Sequence, residues 1–275
     1  MKRALLPLAV LLLGACAVLA TLSAARAGLY DVARLARAVP ARTAIMRDRE
    51  AAAKRARRPW RMQQTWVPYD HISPLLRRAV LTAEDDAFYQ HGGLDWSELR
   101  ASARRDLEER RVARGGSTIT QQLAKNLFLG ESRTLTRKLT EVFLALRMER
   151  ALSKRRIFEL YLNLIEWGDG IYGAEAAARR YFGVSAADLS PRQALLLAAV
   201  IINPRRYSVL DPPRRIERRV RMIASRMRRR GALDEAQYQE ALGLPPPALP
   251  PDLIEAPVDS TPDSSGVPLS PPATP

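Results

Sequence analysis

Apolar residues recur at helical spacing along most of this chain, and no segment shows sustained apolar–polar alternation, so the expected fold class is mostly α. Leu75, Leu76, Ala79, Val80 and Ala83 share one face of a helix that enters at Ser73-Pro74. Trp96 to Arg114 is charged but helical in character and ends at Gly115-Gly116. Ile119, Leu123 and Leu127 make one face of the next helix, and Thr118 with Gln121 fits a capping box at its start. Leu135, Leu139, Val142, Phe143 and Leu146 form the buried stripe of a run from about Thr134 to Leu152. Ser153 can cap a helix carrying Ile157, Leu160, Tyr161 and Leu164. Gly168-Asp169-Gly170 reads as a turn, and Ala174 to Tyr181 as an alanine-rich, closely packed helix. Ser190 to Gln193 supplies a capping box and an N1 proline ahead of the nearly all-apolar Ala194–Ile202. Asp211-Pro212 opens a helix with Ile216, Val220, Ile223 and Met227 on one face and arginines on the other, and Gly231 stops it. A short helix from about Asp234 to Leu242 closes the domain.

The two ends break this pattern. Ala4 to Ala25 is uncharged and long enough to span a bilayer, and Lys2-Arg3 before it puts the N-terminus in the cytoplasm and the body outside. Competing readings are a cleaved signal peptide ending at Ala25-Arg26-Ala27 and a lipoprotein signal at Leu13-Gly14-Ala15-Cys16. All three export the domain. The expected organisation is a cytoplasmic start and transmembrane anchor over 1–27, a basic juxtamembrane connector over 28–66, a catalytic domain over 67–244 and a disordered Pro-rich tail over 245–275. In the connector Arg47, Arg49, Lys54, Arg55, Arg57 and Arg58 either grip anionic membrane lipid or form a solvated helix face.

Charge narrows the partners. The net charge is +15, and the tail holds Asp252, Glu255, Asp259 and Asp263 without a Lys or Arg, so the body is more basic still. Such a surface attracts nucleic acid, anionic lipid or a phosphate-bearing substrate, and export counts against nucleic acid. A single cysteine rules out an internal disulfide framework.

Candidate chemistry clusters at a few places. Glu84 lies four residues after Val80 and so continues an apolar stripe. A carboxylate placed there is poorly solvated, which raises its pKa and improves it as a base. Asp85 adds like charge, and Phe88 and His91 follow closely. Alone, this stretch also fits a helix C-terminal turn with solvated acids. Gly115-Gly116 before Ser117 and Thr118 leads into a helix start that is a ready anion site, with Gln121, Gln122, Lys125 and Asn126 on the polar face behind it. Arg133, Arg137 and Lys138 stand near another helix start, where cations oppose the dipole unless an anion binds nearby. Glu141, four residues after Arg137, is in salt-bridge register with it.

In order, these motifs are Glu84-Asp85-x-x-Phe88-x-x-His91, Gly116-Ser117-Thr118-Ile119-Thr120-Gln121-Gln122, Arg137-Lys138-x-x-Glu141 and Ile157-Phe158-Glu159-x-Tyr161-Leu162-Asn163. They closely resemble the successive motifs of the peptidoglycan glycosyltransferases, glycosyltransferase family 51. Trp167 to Glu175 resembles its monofunctional biosynthetic branch, and Phe158 replaces a more usual leucine. The resemblance covers roughly Val67 to Ser208 and the anchor arrangement. It implies a lysozyme-like, two-lobed α fold at the outer face of a bacterial inner membrane, polymerising lipid II into β-1,4-linked glycan strands with release of undecaprenyl pyrophosphate.

By the same resemblance Glu84 is the catalytic base and Glu141 a second essential carboxylate. Lys125, Arg133, Arg137 and Lys138 receive the pyrophosphate, while Ser117, Thr118, Gln121, Gln122, Asn126, Phe88, His91 and Asp85 contact or surround substrate. A divalent cation, Mg or Mn, is expected at Asp85 or Glu141, with no organic cofactor. The partners implied are lipid II, the growing strand, membrane lipid and proteins of cell-wall synthesis or division. No Ser-x-x-Lys nucleophile motif and no Lys-Thr-Gly follows the domain, so no transpeptidase activity is expected.

Read from residues alone, two alternatives stay open: a lysozyme-like muramidase or lytic enzyme, and a non-catalytic membrane-tethered scaffold for cell-wall machinery. The cation cluster argues against the first, because a glycosidase works with an acid and a second carboxylate. Intact acids and cations at every motif position argue against the second.

Overall fold

The computed structural model describes residues 2–109, 116–132 and 134–245, with side chains from residue 13 onward except at 103 and 105–109. The expected Pro-rich tail and Arg133 lie outside the described residues. The helices are α1 (Lys2–Gly28), α2 (Ala44–Arg55), α3 (Pro74–Glu84), α4 (Trp96–Glu109), α5 (Ile119–Ala124), α6 (Leu135–Ala151), α7 (Lys154–Leu164), α8 (Ala174–Phe182), α9 (Pro191–Val200), α10 (Arg214–Arg229) and α11 (Glu235–Leu242). A π-helical segment, Lys125–Leu129, continues α5 without a break. Their starts follow the local chemistry: Thr118 with Gln121 and Ser190 with Gln193 form capping boxes, and Ser153 accepts from the Arg156 amide at the start of α7.

The helices pack in two groups. In one, α3, α9, α10 and α11 lie against one another around α9, whose residues from Ala194 to Val200 are all buried. In the other, α5 packs on α6 and α7, and α1 runs along α6. Glu84 ends α3 in the first group, and the helix opposite it is α5 of the second. The catalytic candidates therefore sit where the two groups meet.

A small sheet is an element the hydrophobic pattern did not announce. Strand β1 (Gln63–Gln64) runs parallel to β3 (Ile171–Tyr172), and β2 (Glu166–Gly168) runs antiparallel to it, in the order β1-β3-β2. Strands of two or three residues are too short to show an alternation. The expected turn at Gly168–Gly170 joins β2 to β3. Gly170 has φ +76°, and a Cβ there would stand 2.5 Å from the Arg61 carbonyl oxygen, so only glycine fits.

The sheet also corrects the expected connector. Residues 28–66 are not a separate linker: β1 joins the sheet, Met46 of α2 is fully buried, and α2 docks on Lys125–Leu129. Arg49 turns inward, its Nε donating to Glu166 at 3.0 Å, rather than outward to lipid. At the N-terminus, Ser23 and Ala27 of α1 are buried, Ser23 Oγ donates to the Thr136 carbonyl at 3.5 Å, and Arg147 donates to that of Ala27. Among the described residues no helix is long and apolar enough to cross a membrane. The expected span begins within residues 1–12, whose side chains lie outside the described set.

Candidate active site

Glu84 is the last residue of α3, on the helix face that packs inward, and its side chain is only 11% exposed. Its two oxygens are held separately. Arg219 of α10 donates to Oε1 at 2.5 Å and to the Ala83 carbonyl at 3.0 Å. Gln122 Nε2 donates to Oε2 at 3.0 Å. The buried Tyr161 hydroxyl donates to Gln122 Oε1 at 3.0 Å, which fixes the amide with its NH₂ toward the glutamate. Burial pushes the Glu84 carboxyl above the ordinary glutamate value, and the Arg219 charge with the Gln122 and Arg219 hydrogen bonds pulls against it. Burial also holds the Tyr161 hydroxyl far above its usual range, so it stays a donor. The result is a weakly solvated carboxylate in a fixed orientation.

Asp85 does different work. Its Oδ1 stands 2.9 Å from His91 Nε2, and its Oδ2 accepts from the Ile119 amide at 2.9 Å. His91 Nδ1 accepts from the Gly93 amide at 3.2 Å, so the hydrogen bond to Asp85 is donated by Nε2–H. Burial raises the Asp85 carboxyl, opposed by the His91 and Ile119 hydrogen bonds. Asp85 and His91 thus pin the end of α3 to the start of α5. Phe88, expected among the substrate contacts, is fully buried: it packs on Phe158 at 5.7 Å between ring centroids, with Lys154 Nζ 4.2 Å from its own ring centre. It belongs to the core, because the turn of Phe88–Gln90 directs its ring inward.

At the start of α5, where the glycines suggested an anion site, three backbone amides are already engaged. The Thr118 amide is taken by Gln121 Oε1, the Ile119 amide by Asp85 and the Gln121 amide by Thr118 Oγ1. Thr118 Oγ1 itself donates to the Gly93 carbonyl at 2.7 Å. Thr118 and Gln121, both buried, hold the wall in place, while Ser117 is exposed. Further along, Asn126 Nδ2 donates to the Gln122 carbonyl at 2.8 Å.

The cations gather beyond Gln122. Arg137 and Lys138 bracket the buried Glu141, at 2.6 Å and 2.5 Å, and Lys138 also reaches Ser117 Oγ at 3.0 Å. Lys125 makes no ion pair among the described residues. Burial holds its ammonium below the ordinary lysine value, partly offset by Glu141. Arg137 keeps a buried Nε with no hydrogen-bond partner. Lys125, Asn126, Arg137, Arg49 and Gln122 line a cavity of about 370 Å³. Glu84, Asp85, Asp86, Asp95, Ser117 and Arg226 line a second cleft of about 650 Å³. Gln122 links the two, since it lines the first and touches Glu84, which lines the second.

The metal expectation meets a poor donor set. Both Asp85 oxygens are engaged by His91 and Ile119, and both Glu141 oxygens by Arg137 and Lys138. Among the described residues no three acid, histidine or cysteine side chains converge as a metal site would need.

Arg219, Tyr161, Arg49 and Glu166 join the site although the sequence motifs give them no role in it. Arg219 had a readable signal: it falls three residues after Ile216 and four before Ile223, on the apolar face of α10 rather than its arginine face. Tyr161 falls on the apolar stripe of α7 and is core, with its hydroxyl serving the site. Glu166, raised above its ordinary pKa by burial, and Arg49 form a buried pair at the rim of the cation-lined cavity, which no local pattern reports.

A family model described as transglycosylase matches residues 31–228, which includes the connector integrated into the fold. A protein of Nitrosomonas eutropha named biosynthetic peptidoglycan transglycosylase is 46% identical over 188 residues, 68% of this chain and 77% of its own length. One of the same name from Alcanivorax borkumensis is 48% identical over 203 residues, 74% of this chain and 81% of its own. Another from Laribacter hongkongensis is 45% identical over 188 residues, 68% and 82% of the two chains. Every motif and both clefts fall inside residues 31–228, and the chain belongs to the transglycosylase family.

Proposed function

We propose that this protein is a monofunctional peptidoglycan glycosyltransferase that polymerises lipid II into glycan strands, with Glu84 as its general base. The observation that carries this reading is the position of Glu84: a buried, oriented carboxylate on an acid-lined cleft, joined through Gln122 to a cavity lined by Lys125 and Arg137. The acceptor's sugar 4-hydroxyl enters from the acid-lined side and gives its proton to Glu84. The oxygen bonds to the anomeric carbon of the growing chain as the bond from that carbon to the pyrophosphate oxygen breaks, with inversion. The leaving pyrophosphate needs its charge met rather than a proton, and the cations Lys125, Arg137 and Lys138 provide fixed charge for it. Arg219 favours the ionised form of Glu84 and aims it, and Glu141 holds Arg137 and Lys138 in place. No step runs through a metal ion.

The N-terminal segment serves in this reading as a tether to the inner membrane, with the catalytic domain on the periplasmic face, where a lipid-linked substrate is confined. Removing residues 1–27 is expected to lower activity on bilayer-embedded substrate far more than on a short-chain soluble analogue, and equal loss on both would assign the segment to folding, since Ser23 and Ala27 pack on α6. The function itself is tested by polymerisation of lipid II by the purified protein. A muramidase would instead shorten finished glycan, and a scaffold would do neither.

A further inference from the structure

Outside the two clefts of the active site lies a third cavity, of about 690 Å³, on the far side of the Thr82–Ala87 wall. Thr82, Asp86 and Ala87 line both it and the acid-lined cleft, so the two spaces adjoin across those residues. Its chemistry differs from either neighbour. Two tyrosines, Tyr69 and Tyr89, meet at 3.3 Å between hydroxyl oxygens, and Tyr89 is 52% exposed. Around them stand Arg77, Arg78 and Arg230. The Arg77 guanidinium lies 4.2 Å from the centre of the Tyr69 ring, yet its Nε is buried with no hydrogen-bond partner. Its nearest carboxylate, Asp70, is 3.9 Å away and already engaged by Arg155. Arg78 is exposed and makes no ion pair among the described residues. Arg230 is held by Asp86.

An exposed arginine, Arg78, beside an exposed aromatic ring and a second guanidinium suits a ligand that brings carboxylates on an uncharged frame, with the ring packing on the frame and the planar guanidinium on the carboxylate. If the phosphates of the substrate are met by Lys125 and Arg137, the anionic groups left on a peptide-bearing disaccharide are the carboxylates of its peptide branch. We infer that the groove of Tyr69, Tyr89, Arg77 and Arg78 receives the carboxylate-bearing peptide branch of the acceptor while its sugar occupies the acid-lined cleft. This rests on the glycosyltransferase reading, and it adds a specificity site remote from the reacting atoms.

The test compares lipid II with the same molecule carrying amidated peptide carboxyls, using Arg78→Gln and Arg77→Gln/Arg78→Gln. Loss of charge-assisted contacts is expected to lower kcat/KM on native lipid II by roughly tenfold, through KM, and to leave the amidated substrate within about twofold of wild type. Arg78 is exposed and makes no ion pair among the described residues, so its single variant decides the matter if the double variant does not fold. Equal loss on both substrates, or no loss on the native one, would overturn the assignment. Titration of a soluble disaccharide-peptide reads the groove separately from catalysis: weaker binding to Arg78→Gln supports the site and unchanged binding refutes it. A wild type that binds this probe but polymerises neither lipid would refute the glycosyltransferase reading instead.

Discussion

The acid-lined cleft around Glu84 and the cation-lined cavity around Lys125 meet at Gln122, but they manage charge in opposite ways. In the first, one carboxylate is buried and steered by a guanidinium from 135 residues away, and burial still leaves its pKa raised. Exposed acids such as Asp86 widen the cleft without touching Glu84. In the second, Arg137 and Lys138 are held by Glu141 and Arg49 by Glu166 and Glu131, and among the described residues Lys125 is the cation left unpaired on the cavity wall. A base must be poorly solvated yet ionised, whereas a receptor for a leaving anion must be a rigid set of cations with charge to spare. In the proposed glycosyl transfer this difference is a division of labour, with the proton taken on one side and the leaving pyrophosphate received on the other.

The comparison breaks most visibly at Glu84. Glu84→Gln leaves one acceptor oxygen for either Gln122 or Arg219 and removes the proton acceptor, so turnover is expected to fall by roughly 10²–10⁴-fold or more in a single-turnover polymerisation assay. Lys125→Ala is expected to act on the other side. It removes the unpaired cation, and binding of lipid II or of a phosphoglycolipid inhibitor, followed by titration, is expected to weaken by roughly ten- to a hundredfold. Arg219→Gln sharpens the contrast through pH. Arg219 pulls the Glu84 pKa down against burial, so its loss raises that pKa further. Because the ionised form is the base, the acid limb of the kcat/KM profile is expected to move to higher pH, while Lys125→Ala leaves that limb where it is. The smallest effect is expected at the shared wall: Thr118→Ala removes the cap and the bond to Gly93, costing about 1 kcal/mol of stability in a denaturant melt.

Much of this was readable in the chain because it is carried by local chemistry. Long periodic stripes placed the helices from α3 to α11, and Thr118, Ser153 and Ser190 marked starts that the caps bear out. Glu84 on its apolar stripe, and Arg137 four residues from Glu141, were legible for the same reason. What escaped depends on contacts distant in sequence. The sheet joins residues near 63 to residues near 171 with strands too short for a pattern. Arg219 shows its place on the apolar side of α10 but not its partner, Glu84, 135 residues earlier, and the amides at the start of α5 looked free because Asp85, which takes one of them, lies 34 residues earlier. Phe88 sits in a motif yet points into the core, since a motif records that a residue matters and not which way it faces.

The central claim is that proton transfer and anion binding are separate jobs of the two regions. Side-by-side titration of folded Glu84→Gln and Lys125→Ala with lipid II tests it most directly. The division predicts near wild-type binding by Glu84→Gln with almost no turnover, and weakened binding by Lys125→Ala. If Glu84→Gln lost binding as completely as Lys125→Ala while remaining folded, Glu84 would be a binding residue and its assignment as the base would be wrong.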